Sequence, residues 1–415
     1  MYDTISFIQN MRGGFFMKNK RCIAFILLVC MLMTCAAGCA SQPQGPATDL
    51  EPVSVTQEVA NDENTALFRK IFESETAYLA ALQLENGAIP MTNSGDGTFT
   101  MNPYFADFAA LALLDNADEY ADEVKKYMDW HFAHLNTAET DYNGIDATIY
   151  DYKITVVGGK VTEEKINEAE DGRKIYDSTD SYAATFLSVL NKYYRKTGDK
   201  SYIVSHKEEI ARIVNSMFAT LHKGLAYARP DYEVKYLMDN CEVHEGALDA
   251  ASLIRDVICP IDASYNEFVE LCESNAAVIA DAIETKLWKA SENRYITAIF
   301  KNGKIAHTFS WSVFYPAGSA QVFPIIHGLI ATDSERAISL YGRFCEAFDW
   351  QNFNIDSEFS WGSNVLAAAH MNDVERVVCY MENYAERFAE HKYPLYNADA
   401  ARVCMAAYIM LERYS

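Results

Sequence analysis

From Asn64 to near the end of the chain, apolar residues recur every three to four positions in segment after segment, the spacing that turns one face of an α-helix toward a core. Twelve helices are predicted, over 64–84, 103–115, 118–135, 179–197, 200–221, 237–257, 264–286, 316–330, 333–348, 361–371, 373–390 and 396–413. Start and stop signals such as Asn102-Pro103, Gly198-Asp199, Asp333 with Glu335, and Pro394 mark their boundaries. The helices alternate in character. The odd ones carry a charged stripe, as in Asp118-Glu119 with Asp122-Glu123 and Lys207-Glu208-Glu209 with Arg212, whereas the even ones are rich in Ala, Gly, Ser and aromatics, as in Val365-Leu366-Ala367-Ala368-Ala369. A helix that is apolar or small on all sides is buried, and a striped one covers it.

Strict alternation of outer and inner helices predicts an all-α fold, an (α/α)6 toroid of six helical hairpins in a ring. A solenoid would repeat at a fixed period, and the even helices start at 103, 179, 237, 316, 361 and 396, which is too uneven. Two long connections carry strand signals: Tyr150 to Val161 around Gly158-Gly159, and Arg294 to Phe300 followed by Asn302-Gly303. Each reads as a β-hairpin insertion.

Charge and the N-terminus refine this picture. The 415 residues contain 35 Lys and Arg against 58 Asp and Glu, a net charge of −23, which argues against nucleic acid and anionic surfaces as partners. Lys18, Lys20 and Arg21 precede an apolar run from Cys22 to Thr34, the form of a signal peptide beginning at Met1 or Met17. The run is shorter than the about 20 residues that a spanning helix requires. It closes on Ala36-Ala37-Gly38-Cys39, which resembles the lipobox of bacterial lipoproteins, with Ala36 where Leu is commoner. The resemblance implies cleavage before Cys39, lipidation of Cys39, and an extracytoplasmic protein held at the membrane only by that anchor. Residues 1–38 are then a signal peptide, 39–63 a flexible tether and 64–415 a single domain, expected to act as a monomer. Cleavage removes Arg12, Lys18, Lys20 and Arg21 but only Asp3, deepening the net charge from −23 to −26. The six cysteines beyond Cys39 form no CxxC pair and read as buried free thiols or an isolated disulfide.

In a toroid the N-terminal ends of the inner helices share one face. The residues at those ends are Glu85-Asn86-Gly87 with Tyr104; Asp177 and Asp180 with Tyr182; Asp239 and Glu242; Trp311 and Tyr315; Asp356 and Glu358 with Trp361; and Tyr396. Aromatic faces stack on pyranose rings and carboxylates accept from hydroxyls, so such a funnel suits an oligo- or polysaccharide. Cleaving a glycosidic bond requires one protonated and one ionised carboxyl. Crowding in a partly dry funnel raises the pKa of one of them.

The region from Asn64 onward resembles the six-hairpin glycosidase superfamily, and most nearly the group of glycoside hydrolase families 8, 48 and 126. The resemblance implies that Glu85, in the loop after the first helix and before Asn86-Gly87, is the general acid. It implies that Asp177 and Asp180, in Asp177-Ser178-Thr179-Asp180, hold the sugar at the cleavage point or position water. It also implies inversion, with carboxyls about 6.5–9.5 Å apart. The sequence lacks the longer signature around the acid of family 8, and the base stays open among Glu242, Asp239 and the Asp356/Glu358 pair. The expected catalytic residues are Glu85, Asp180 and Glu242; the expected substrate contacts are Asp177, Tyr104, Tyr182, Asp239, Trp311, Tyr315, Asp356, Glu358, Trp361 and Tyr396.

Each site residue also has a plainer reading. Asp177 and Asp180 suit a helix cap, Glu85 a solvated loop, and Asp239, Glu242, Glu245 and Asp249 a charged helix face. No HExxH accompanies His244 and Glu245, and no metal or cofactor is expected. Two other functions fit the same fold: a non-catalytic carbohydrate-binding lipoprotein, and a sugar epimerase or lyase that would use His244, His307 or His327.

Overall fold

The computed structural model describes residues 62–414; the signal segment, Cys39 and nearly all of the tether lie outside them. The helices are α1 (Asp62–Ala81), α2 (Pro103–Leu113), α3 (Ala117–Ala133), α4 (Asp180–Thr197), α5 (Lys200–Ser205), α6 (Lys207–Phe218) and α7 (Leu237–Leu253). They continue with α8 (Asn266–Ala282), α9 (Phe323–Ile326), α10 (Glu335–Ala347), α11 (Gly362–His370), α12 (Val374–Arg387) and α13 (Asn397–Tyr414).

Packing between them closes a ring. Helix α2 lies on α4, α4 on α7, α7 on α9, α9 on α11, α11 on α13, and α13 returns to α2. Outside this ring α3 covers α2 and α4, α6 covers α4, α8 covers α7, α12 covers α11, and α1 covers α13. The fold is thus the expected toroid with small β insertions. Its two layers follow from composition. Helix α12 buries Val374, Val377, Tyr380, Met381 and Tyr384, one stripe at helical spacing, whereas α11 buries every residue from Gly362 to Ala369.

Small residues let the inner helices approach. A Cβ on Gly246 of α7 would lie 2.6 Å from the carbonyl oxygen of Ala184 on α4, closer than real Cβ atoms come. Gly246→Ala is expected to destabilise the fold by about 2 kcal/mol, as overpacking of a filled core does. A urea midpoint unchanged from wild type would contradict that.

The ring is also closed by a buried carboxylate. Glu75 of α1, 2% exposed, accepts from the Tyr384 hydroxyl of α12 (2.9 Å) and from His391 Nε2 (2.9 Å). His391 in turn stacks on Tyr78 at 4.2 Å.

Local departures from the sequence reading have local causes. The first helix starts at Asp62 and ends at Ala81. The helix expected over 200–221 is divided between α5 and α6 at His206, whose ring stacks on Phe132 at 4.3 Å. The helix expected over 316–330 is irregular: turns over Phe314–Gly318 and Ser319–Val322 precede the single α-turn of α9. Pro316, Gly318 and Pro324 interrupt it, since proline lacks an amide donor and glycine costs backbone entropy.

The first hairpin is present as β2 (Tyr152–Val157) and β3 (Lys160–Lys165), paired through Val157 and Lys160 around Gly158-Gly159 at positive φ. It gains a strand the sequence reading lacks, β1 (Thr98–Met101), antiparallel to β2. The second expected hairpin turns at Asn302-Gly303, where the Phe300 and Ala306 amides donate to the Lys304 and Ala298 carbonyls (2.8 and 3.0 Å) and Ile299 bridges Ile305; Ala298–Phe300 also pairs with a segment the sequence reading lacks, Val234–Tyr236, which leads into α7. The six described cysteines are free thiols, three of them buried.

Candidate active site

The starts of α2, α4, α7 and α13 bring their polar residues together. On α2, the Asn102 side chain accepts the Phe105 amide as a cap (3.0 Å). Its amide also donates to Asp151 (3.0 Å) and Tyr182 (2.7 Å), so one residue both starts a helix and orients the site. On α4 the Ser181 amide is shared between Asp180 Oδ1 (2.9 Å) and Ser178 Oγ (3.1 Å), so Asp180 takes part in starting the helix. Asp180 is fully buried; its Oδ1 accepts from the Ser178 hydroxyl (2.5 Å), and its Oδ2 has no partner. One helix over, α7 carries Asp239 and Glu242, a turn apart and 6% and 3% exposed. Glu242 Oε1 accepts from the Tyr104 hydroxyl at 2.5 Å, and its Oε2 is buried without a partner. From α13, Arg402 lays its guanidinium on the Phe108 ring (3.8 Å) and reaches the Tyr104 hydroxyl at 3.3 Å.

Electrostatics divides these carboxyls into two kinds. Burial pushes Asp239 and Asp180 up, and Asp180 in turn raises Asp239, with the nearby Glu242 and Asp177 charges adding to it. Burial raises Glu242 as well, but His327, the Tyr104 hydroxyl and Arg402 all act to keep it ionised. A crowded apolar site therefore holds a carboxyl pair inclined to keep protons beside one carboxyl supplied with positive charge.

Asp151, 3% exposed, is pushed up to about 8 by burial and then by Asp177, against hydrogen bonds from Tyr182 and Asn167. This gives stability a definite pH dependence. The folded chain retains a proton on Asp151 between its ordinary 3.8 and about 8, where the unfolded chain has released it, so that stability is lost as pH rises through the window. His370, pushed down to about 4 by burial, acts in the opposite sense below its ordinary 6.5. The two oppose each other on the acid side; from about pH 6.5 to 8 Asp151 is no longer opposed by His370, and Asp107, Asp239 and His327, raised likewise, act in the same direction as Asp151. The melting temperature is expected to fall across that interval, by an amount on the order of 1–2 kcal/mol of stability. Asp151→Asn should flatten the slope; a slope identical in the variant would refute its origin.

Aromatic rings surround the cluster. Tyr104 stacks on Tyr182 at 5.9 Å, Tyr315 lies 4.8 Å from Trp361, and Tyr396 meets Phe105 and Phe359 at 5.8 and 5.6 Å. Of the residues expected from sequence, the structure thus groups Tyr104, Asp177, Asp180, Tyr182, Asp239 and Glu242, and sets Tyr315 with Trp361 at the start of α11. Trp311 packs with Phe309 (5.2 Å) and the Arg343 guanidinium of outer helix α10 (4.9 Å). Asp356 is exposed, and Glu358 accepts from the Tyr393 hydroxyl at 3.0 Å. Glu85 stands outside the buried group, exposed in the turn after α1; the next residue, Asn86, donates to Glu163 of β3 at 2.7 Å.

Arg402, Asp151 and Asn102 were not expected. Arg402 had a legible signal, a lone cation within Ala400-Ala401-Arg402-Val403 on an inner helix. Asp151 lies in a loop with no periodicity to mark it.

No protein-family model matches the chain, and no curated protein sequence does. Solved structures of similar fold include a glycosidase, at a TM-score of 0.58 and 11% identity, covering 86% of this chain and 98% of that one. An α-amylase from Clostridium perfringens aligns at 0.50 and 11%, covering 84% and 97%. A rhamnosidase from Klebsiella oxytoca with rhamnose bound aligns at 0.54 and 11%, covering 86% and 65%. The fold is one that glycosidases use. At the inner-helix starts of this fold stand two kinds of carboxyl, one inclined to keep a proton and one supplied with positive charge.

Proposed function

We propose that this chain is a glycoside hydrolase acting on an oligo- or polysaccharide, anchored outside the cytoplasm through a lipid on Cys39. The observation that carries the reading is the asymmetry within one buried cluster, where burial pushes Asp180 and Asp239 up and Asp180 raises Asp239 further, whereas His327 and Arg402 both favour the charge on Glu242. In this mechanism Asp180, with its unpartnered oxygen, donates a proton to the leaving glycosidic oxygen. Glu242, held by Tyr104, removes a proton from the attacking water. Asp239 stays protonated and donates to a sugar hydroxyl, while Tyr182, Tyr315, Trp361 and Tyr396 offer faces to the rings. Attack by water opposite the leaving group inverts the anomeric centre.

The test is incubation of the protein with a glycan panel, with products separated by chromatography and the anomer of the first product read by NMR. Asp180→Asn should abolish cleavage and Glu85→Gln should leave it standing. The reverse result transfers the proton donor to Glu85, as the family resemblance implies. Glycan binding without turnover on any substrate would favour the non-catalytic carbohydrate-binding reading.

A further inference from the structure

At the C-terminal ends of the inner helices, opposite the carboxylate cluster, the ring opens into a cavity of about 480 Å³ whose lining includes Glu245, Asp249, His327 and His370. Glu245 follows Glu242 by three residues on α7, so the two share a helix face, one toward each end of the ring. Glu245 Oε2 is bonded to His327 Nδ1 at 2.6 Å. The imidazole is 7% exposed, whereas 46% of the Glu245 side chain faces the cavity. The carboxylate thus meets water in the cavity while the ring is enclosed next to Glu242.

We propose that His327 is a positioning residue for the hydrolysis: held as an imidazolium by Glu245, it supplies from beneath the charge that keeps Glu242 ionised and able to serve as base. The inference rests on the proposed hydrolase function for its catalytic consequence, though not for the charge itself.

The surroundings of His327 agree with this role. From α7 it faces Glu242, Glu245 and, more weakly, His244; from α11, His370; from α13, Arg402. The two carboxylates favour its proton and Arg402 opposes it, while His244 and His370 are held neutral by burial. With two anions against one cation around it, the imidazole keeps its charge. Arg402 adds to the same field from α13 and also donates to the Tyr104 hydroxyl, so its part is divided between Glu242 and the group that bonds it. Glu242 is therefore held on one side by a donor that Arg402 supports and on the other by His327.

Two measurements on the full chain test this separately. Imidazole NMR titration of 15N-histidine protein, with His327 assigned by its absence in His327→Gln, is expected to show His327 titrating above its ordinary 6.5, and Glu245→Gln should lower its midpoint by about one unit. A His327 that titrates below its ordinary 6.5 in the wild type overturns the proposal whether or not any glycan is cleaved. Where cleavage is observed, His327→Gln should move the acid limb of the kcat/KM profile up by about one pH unit. His327→Lys, which keeps a cation, should restore the limb. A limb that stays in place in His327→Gln, or moves equally in both variants, overturns the positioning role. If the wild type cleaves no glycan, the hydrolase reading fails and the titration alone decides whether His327 carries the charge.

Discussion

Glu242→Gln is expected to lower kcat about a thousandfold while leaving the fold intact or slightly more stable. The size follows from removal of a general base, which contributes roughly 10²- to 10⁴-fold. The stability follows from burial. Glu242 is 3% exposed with one oxygen unpartnered, and folding has displaced its affinity for a proton upward, so the folded chain bears a cost for holding it charged. An amide of the same shape can still accept from the Tyr104 hydroxyl, yet carries no charge to desolvate. Opposite signs of the two effects are what separates a catalytic carboxylate from a structural one. Turnover within tenfold of wild type would remove Glu242 from the base role; a large drop in melting temperature would make the loss of activity a folding effect.

Glu75→Ala is expected to have the reverse profile, costing about 3 kcal/mol without touching the site. Its carboxylate is enclosed between α1 and α12, and truncation leaves the Tyr384 hydroxyl and His391 without their acceptor in a buried place. Glu75→Gln keeps an acceptor and should recover a large part of the loss. Denaturation in urea measures both, and two variants of equal stability would show that the hydrogen bonds contribute nothing.

The ring was legible in the sequence because its two layers differ in chemistry along their whole length: an inner helix such as α11 has no charged residue for eight positions, all of them buried, and its outer partner α12 has a stripe that requires water. Where that contrast is absent the reading weakens. Between Phe314 and Ile326 the chain has inner-helix composition, yet Pro316 and Pro324 remove the amides a continuous helix would use. Strand β1 is four residues long, too short for alternation to register. Within the site, Tyr104, Asp180, Tyr182, Asp239 and Glu242 were legible because helix starts fix their place in the ring. Asp151 and Asn102 meet across a long connection, and only the folded chain brings them together. Glu85 was singled out by motif alone, and a motif in a turn does not say which way its side chain faces.

Closure of the ring by α1 against α13 has a consequence for how the chain acquires its structure. The Phe72 ring of α1 lies 5.6 Å from that of Tyr408 on α13, so two helices more than three hundred residues apart in sequence are neighbours in space. Contacts of such separation raise the contact order and slow folding, because the loop-closure entropy of nearly the whole domain is lost before they form. The same adjacency makes the toroid a natural host for circular permutation: a short linker joining α13 to α1, with new termini opened between two hairpins on the outer surface, preserves every inner-helix contact and exchanges the longest-range closure for a local one.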